Sequence, residues 1–227
     1  MPDELYSRQV ELRLNIPVSI TVVGCGGIGT WVAIDAAMSG VKTIYLYDPD
    51  VIEESNRNRL PFCQGAINRP KVEVVAEFIQ AIRPDAIVVP IQDKLEGILL
   101  DVQSSVCYHY IDCTDSPKTQ MTLYKFCKER GFSYIRAGYD GTHITDTSVV
   151  SGWINAASEG ENYQVNPSWV VPAQVVAALA VAKLMKYPDQ EVNLDIGEIG
   201  TPVVQRQKRL TARCYQAGNA QSPRRRR

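Results

Sequence analysis

Short apolar runs alternate along the chain with stretches of helical period. Ile20, Val22 and Val23 form a β-type run that stops abruptly at glycines. Apolar positions then recur at Ile28, Val32, Ala33, Ala36 and Ala37, a helical spacing that Gly40 closes. Lys42 to Tyr47 is a second β-branched and aromatic run, and it ends on Asp48. Residues 50–60 are polar and irregular. Val72, Val75, Ala76, Phe78, Ile79 and Ile82 predict a helix opened by Pro70-Lys71 and stopped by Pro84. A strand Ala86–Pro90 follows, then a weaker helix from about Leu95 to Ser105, a buried-type strand Cys107–Cys113 and a helix Ser116–Arg130. Ser133–Gly138 and His143–Val150 predict two strands joined through Tyr139-Asp140-Gly141. Trp153–Ser168 has little periodicity and predicts a long loop. Pro172–Met185 is an alanine-rich apolar helix, and Glu191–Ile196 a last strand.

The alternation predicts an α/β chain, doubly wound and Rossmann-like, with a mostly parallel sheet and helices on both faces. At 227 residues it can bury a good core. The expected division is a domain over 1–200 and a basic tail over 201–227 that finishes in four arginines. The net charge of −1 gives no global drive toward nucleic acid or anionic membrane, and neither is expected as a partner. No apolar run reaches the length of a membrane span, and MPDELYSRQ lacks a signal-peptide core. The six cysteines, at 25, 63, 107, 113, 127 and 214, form no C-x-x-C pair, and several fall in strand or helix patterns. Reduced thiols and a cytoplasmic location are expected.

Gly24, Gly26 and Gly29 stand in the G-x-G-x-x-G spacing, with Gly27 as an extra glycine. A strand before them, a helix after them and Asp48 at the next strand tip make the set a candidate nucleotide site. Glycine lets a phosphate approach the backbone, the helix offers unpaired N–H groups, and the acid suits a ribose hydroxyl. The loop with Asn56, Arg57, Asn58 and Arg59 is either an ordinary solvated loop or one that holds phosphates. Lys71 is a cation at a helix N-terminus, where the dipole disfavours it, so it is either simply exposed or faces an anion. Asp112 and Asp115 at a strand tip are metal or phosphate-site candidates, while the plainer role for Asp115 is the N-cap of the following helix. His109 is expected to be a satisfied core histidine, His143 a structural turn residue and Arg8 a solvated surface arginine.

Five ordered blocks, Tyr6-Ser7-Arg8-Gln9, Gly24 to Gly29, Asp48 through Arg59, Pro70-Lys71 and Asp112 to Asp115, resemble the ThiF/MoeB/HesA superfamily of adenylating enzymes related to ubiquitin-activating enzyme. The resemblance implies a homodimer that uses ATP and Mg2+ to adenylate the C-terminal carboxylate of a ubiquitin-like or other small carrier protein ending in glycine, with release of pyrophosphate. It places Asp48 on the ribose, Asn56, Arg59 and Lys71 on the phosphates and Asp115 on Mg2+. Arg8 reaches the phosphates from the neighbouring protomer. Two departures matter. Without C-x-x-C pairs no zinc is expected. With no cysteine between Cys127 and Cys214 no thioester is expected on this chain, Cys214 being the exposed exception. A non-catalytic docking scaffold and an NAD-dependent oxidoreductase are the alternatives, and the Arg59, Lys71 and Asp115 set counts against both.

Overall fold

The computed structural model describes residues 4–62, 64–94, 107–149 and 167–198. The expected helix Leu95–Ser105, most of the Trp153–Ser168 loop, the basic tail, Cys63 and Cys214 lie outside the described residues.

The first glycine-bounded unit folds as its pattern predicts. Strand β1 (Ser19–Val23) leads through Gly24–Gly26 into helix α1 (Gly27–Ser39), and β2 (Thr43–Tyr47) follows. Gly40 ends α1 in the left-handed region at φ 110°, donating its N–H to the carbonyls of Ala36 and Ala37. Helix α2 (Lys71–Ile82) stops before Pro84, and β3 (Ile87–Ile91) runs beside β2. Strand β4 (His109–Asp112) is shorter than the expected Cys107–Cys113. Helix α3 spans Pro117–Arg130, with Pro117 at a position whose N–H needs no intrahelical partner.

β5 (Ser133–Asp140) and β6 (His143–Thr147) form a hairpin through Gly141 at φ 59°. Helix α4 (Val170–Met185) starts two residues earlier than the apolar pattern suggests, because Pro172 is compatible with a first turn. β7 (Val192–Asp195) closes the order.

Among the described residues these strands make one sheet in the order β3-β2-β1-β4-β5-β6-β7. β1 to β5 run parallel, β6 is antiparallel to β5, and β7, antiparallel to β6, runs in the direction of β1 to β5 again. The tight turn at Gly141 leaves no room for a crossover helix, which forces that reversal. α1, α2 and α4 cover one face over a core that includes Ile20, Val22, Ile111, Ile135 and Ala177. α3 covers the other through Val23, Tyr47, Tyr110, Leu123, Phe126 and Tyr134. The chain departs from β1 to one side and returns to β4 on the other, so the carboxyl ends of β1 and β4 border a topological switch point. No helix among the described residues is long and apolar enough to cross a membrane.

The N-terminal residues, expected only as a polar arm, form a 3-10 helix over Glu4–Leu12. Tyr6 and Gln9 dock it on the C-terminal end of α1. Gln9 Nε2 donates to the Ser39 carbonyl at 2.9 Å, and the Tyr6 ring covers Gly40 and stacks 5.0 Å from the Arg83 guanidinium. Arg83 is itself buried and held bidentately by Asp85 at 2.9 and 2.8 Å.

Candidate functional site

The glycine turn sits at the switch point, and its four glycines do different things. Gly24 has φ 87° and packs on the β4 tip, where a Cβ would lie 3.1 Å from the Cys113 backbone. Gly29 has no room at all, since a Cβ would fall 1.7 Å from the Gly24 carbonyl oxygen. Gly26 is the reverse case: a Cβ there meets nothing within 4 Å. Gly26 also precedes α1 without any side-chain cap. The first-turn N–H groups and the positive end of the helix dipole therefore border open space at Gly26.

Asp48 lies under this turn, buried at the end of β2. Its Oδ2 accepts the Cys25 N–H at 2.6 Å and its Oδ1 the Asp50 N–H at 2.8 Å. Burial pushes its pKa up, while the nearby Lys71 ammonium and the two N–H donors pull it back. Each carboxylate oxygen keeps a second lone pair for a ligand hydroxyl.

Lys71 projects from the start of α2 toward the same carboxylates. Its Nζ donates to Asp50 Oδ2 at 2.8 Å and stands 4.0 Å from Asp48 Oδ1. Those two acids explain how a cation is accommodated at a helix N-terminus. Arg59 crosses the turn from its other side, its Cδ occupying the space a Gly27 Cβ would need. Its Nη1 donates to the Ser55 carbonyl at 2.8 Å and to Asn58 Oδ1 at 2.9 Å, and its own carbonyl accepts Trp31 Nε1 at 3.1 Å. Asn56 is buried, and its Oδ1 accepts the Glu53 N–H at 3.1 Å in a capping box. Its amide shapes the loop that carries Arg59.

The two acids of the β4 tip part company. Asp112 is fully buried and accepts from the Thr114 N–H at 3.0 Å, the Thr114 hydroxyl at 2.7 Å and the Tyr134 hydroxyl at 2.8 Å. Asp115 is exposed, one residue beyond Thr114, whose methyl packs beside Gly24. The capping role expected for Asp115 belongs instead to Ser116, whose Oγ accepts the Thr119 N–H at 3.3 Å. The reason is register: with Pro117 as the first helical residue, Ser116 is the position whose side chain reaches the third N–H.

Other candidates fall elsewhere. Arg8 is exposed on the arm, at the end of α1 opposite the glycine turn. A helix of 13 residues separates the two by about 20 Å. His109 is only half-buried, and its Nδ1 has no hydrogen-bond partner among the described residues, so it is not the satisfied core histidine expected. His143 is exposed where β6 begins. The free thiols of Cys25, Cys113 and Cys127 are buried or nearly so, and burial pushes all three up, Cys127 to about 12. They are poor nucleophiles. Sequence reasoning missed the Asp112–Thr114–Tyr134 network, whose only sequence signal is an acid and a hydroxyl two residues apart.

Residues 11–198 match the pattern of the ThiF family. The chain belongs to that family. Among similar proteins, tRNA threonylcarbamoyladenosine dehydratase of Haemophilus influenzae is 34% identical over 147 residues, 64% of this chain and 56% of the relative. The sulfur carrier protein ThiS adenylyltransferase of Escherichia coli is 30% identical over 131 residues, 54% and 52% of the two chains. The chain thus spans about half the length of these relatives. A crystal structure of E. coli MccB with ATP shares the fold at a TM-score of 0.67 and 20% identity, over 86% of this chain and 72% of MccB. The mostly parallel sheet with its glycine turn is the Rossmann-like fold of the family.

Proposed function

We propose that this ThiF-family chain binds ATP at the Gly24–Gly29 turn and adenylates the C-terminal carboxylate of a small protein or peptide, ubiquitin-like or otherwise ending in glycine. The observation that carries the reading is the cradle at Gly26, open where a Cβ would stand and bordered by a helix N-terminus, Arg59 and Lys71. ATP fits that cradle. Asp48 has the lone pairs to hold the ribose, while Arg59, Lys71 and Asn56 serve the phosphates. Asp115, an exposed carboxylate just past the β4 tip, suits Mg2+, which usually takes one or two protein carboxylates plus substrate phosphates and would neutralise the leaving pyrophosphate.

In the reaction a carboxylate oxygen of the substrate forms a bond to the α-phosphorus, and the bond from that phosphorus to the bridging oxygen breaks. Pyrophosphate leaves with the electron pair. Anion attacks anion, so the chain's part is to hold positive groups in place before charge develops. Arg59, Lys71 and the α1 dipole do this within one protomer, and Arg8 of a second copy supplies the remaining cation in a homodimer. The names of the E. coli ThiS adenylyltransferase and of several ubiquitin-like modifier-activating relatives support a protein substrate. The dehydratase relatives favour a second reading, in which a modified tRNA is the substrate.

Calorimetry tests the nucleotide site. Gly26→Ala should fold normally, because its φ of −77° suits alanine and the new methyl meets nothing. It should nevertheless weaken ATP binding by about tenfold or more, since the methyl occupies the phosphate approach. Asp48→Asn should cost about 1–3 kcal/mol of ATP affinity. Unchanged ATP affinity in both folded variants would remove the turn from the site. ATP–pyrophosphate exchange driven by glycine-terminated peptides, set against exchange driven by tRNA, separates the two substrates.

A further inference from the structure

Just past β4, one residue has every polar group engaged. Asp112 Oδ1 accepts the Thr114 N–H at 3.0 Å, the local turn that an aspartate makes with the residue two positions on, and also the Thr114 hydroxyl at 2.7 Å. The Thr114 carbonyl accepts Gln120 Nε2 at 2.6 Å, from near the start of α3. So held, Thr114 sets its methyl against Gly24, 3.3 Å from where a Cβ would stand. Asp115 follows directly. Ser116, after it, is tied into α3, its carbonyl accepting the Gln120 N–H at 3.0 Å. The exposed Asp115 is thus a single residue carried between two anchored ones.

Both anchors of Thr114 reach into the protein. Asp112 is fully buried, and its Oδ2 accepts the Tyr134 hydroxyl of β5 at 2.8 Å. Arg136, its register partner on β5, adds an attractive charge. Tyr134 is held in turn by the aromatic cluster under α3, edge-on to Tyr124 with 5.5 Å between ring centroids. Gln120 is 1% exposed, and its Oε1 has no hydrogen-bond partner among the described residues. A buried acceptor left unpaired lowers stability, and an apolar side chain of similar length would avoid that loss. The amide therefore does little for the core. Its use lies in the bond it donates to Thr114.

We infer that Gln120 and Tyr134 are positioning residues for Asp115: through Thr114 they hold its carboxylate where a divalent cation on the ATP phosphates would meet it. The inference rests on the adenylation reading above and adds the two buried side chains that aim its acid. They reach Thr114 by different routes. Gln120 takes the carbonyl, while Tyr134 acts through Asp112 on the N–H and hydroxyl. Losing either one loosens a single side of the segment and leaves the other fastened. A carboxylate that is already in place meets the cation without reorganisation, and residues that orient such a ligand are worth about 10–100-fold in metal affinity.

The test uses the full chain and α,β-methylene-ATP, a non-reacting analogue, whose binding is measured by calorimetry with EDTA and again with saturating Mn2+. Thermal melts of each protein confirm folding. Without metal, Gln120→Met and Tyr134→Phe should bind the analogue as wild type does. With Mn2+, each should bind it about tenfold more weakly than wild type, because only the metal contact is misplaced. Asp115→Asn should lose the benefit of Mn2+ as well. Adding Gln120→Met to Asp115→Asn should then cause no further loss, since the amide acts through that acid, whereas an independent packing role would add its full effect. Wild-type binding with Mn2+ in folded Gln120→Met and Tyr134→Phe would overturn the inference, as would equal losses with and without metal. Tyr134→Phe keeps its ring and packing, so it carries the test alone if Gln120→Met unfolds. An analogue that fails to bind wild type at all sinks the adenylation reading. One that binds with the same metal dependence in wild type and both single variants sinks only the positioning role.

Discussion

The carboxylate of Asp112 is closed off from solvent by Thr114 and Tyr134, whereas Asp115 stands exposed one residue before the helix cap. Sequence spacing alone made the two acids equivalent candidates. What separates them is the pleat, which turns Asp112 into the sheet under α3 and leaves Asp115 beyond the strand end. Their substitutions should differ accordingly. Ser116→Ala removes the cap and should lower stability by about 1 kcal/mol while ATP affinity holds. Asp115→Ala should leave the thermal midpoint nearly unchanged and lower ATP–pyrophosphate exchange on the order of 100-fold, the loss expected for a charge aimed at the transition state. Thermal melts and exchange rates on the two proteins check both halves. A stability loss in Asp115→Ala with normal exchange would return that residue to a structural role.

At the scale of elements, α4 meets β6 through a buried charge that the chain's periodicity did not announce. Asp146 is 1% exposed on β6 and faces Lys183 of α4, itself 2% exposed, whose Nζ donates to Glu191 Oε1 at 2.9 Å and to the Gln190 carbonyl. Burial pushes Asp146 up to about 7, with Glu191 reinforcing and Lys183 opposing the shift. The folded chain therefore holds a proton that the unfolded chain, with an ordinary carboxylate value of about 4, has released. Stability should fall as pH rises between about 4 and about 7, by up to about 4 kcal/mol from this group. Asp146→Asn should flatten that decline, as chemical denaturation at several pH values would show. An unchanged slope would mean that the carboxylate ionises freely in the fold. The contrast with α1 is instructive. Strand, glycine turn, helix and acid were legible from residues 20–48 because each signal is local: a run, a glycine, a period. The burial of Asp146 near Lys183, the transfer of capping from Asp115 to Ser116 and the reversal of β6 were not. They depend on which residues the sheet brings together, and one sequence carries no record of that beyond its pattern.

For the whole molecule, the arm decides the argument. Tyr6 and Gln9 fix it against the C-terminal end of α1, so within one chain Arg8 is held about a helix length, ~20 Å, from the glycine turn. No swing of a single side chain spans that distance. If Arg8 acts on the phosphates, it must act on those bound by a second copy, in a dimer whose two-fold axis brings each arm to the other's α1 N-terminus. Such a site fails when either protomer's contribution is removed, and it can be rebuilt from two different failures. Arg8→Ala protein and Asp115→Ala protein should each show greatly reduced exchange alone. In a mixed heterodimer, the subunit with intact Asp115 receives the intact Arg8 of its partner, while the opposite site lacks both. Random pairing of equal amounts makes half the dimers mixed, each with one intact site, so exchange should recover to about a quarter of the wild-type value. Recovery should track subunit exchange, rising after the proteins are mixed and incubated. No recovery, with dimers present by light scattering, would place Arg8 outside the reaction. A monomer in solution under active conditions would contradict the shared site directly, and the arm would then serve only to cover Gly40 and Arg83.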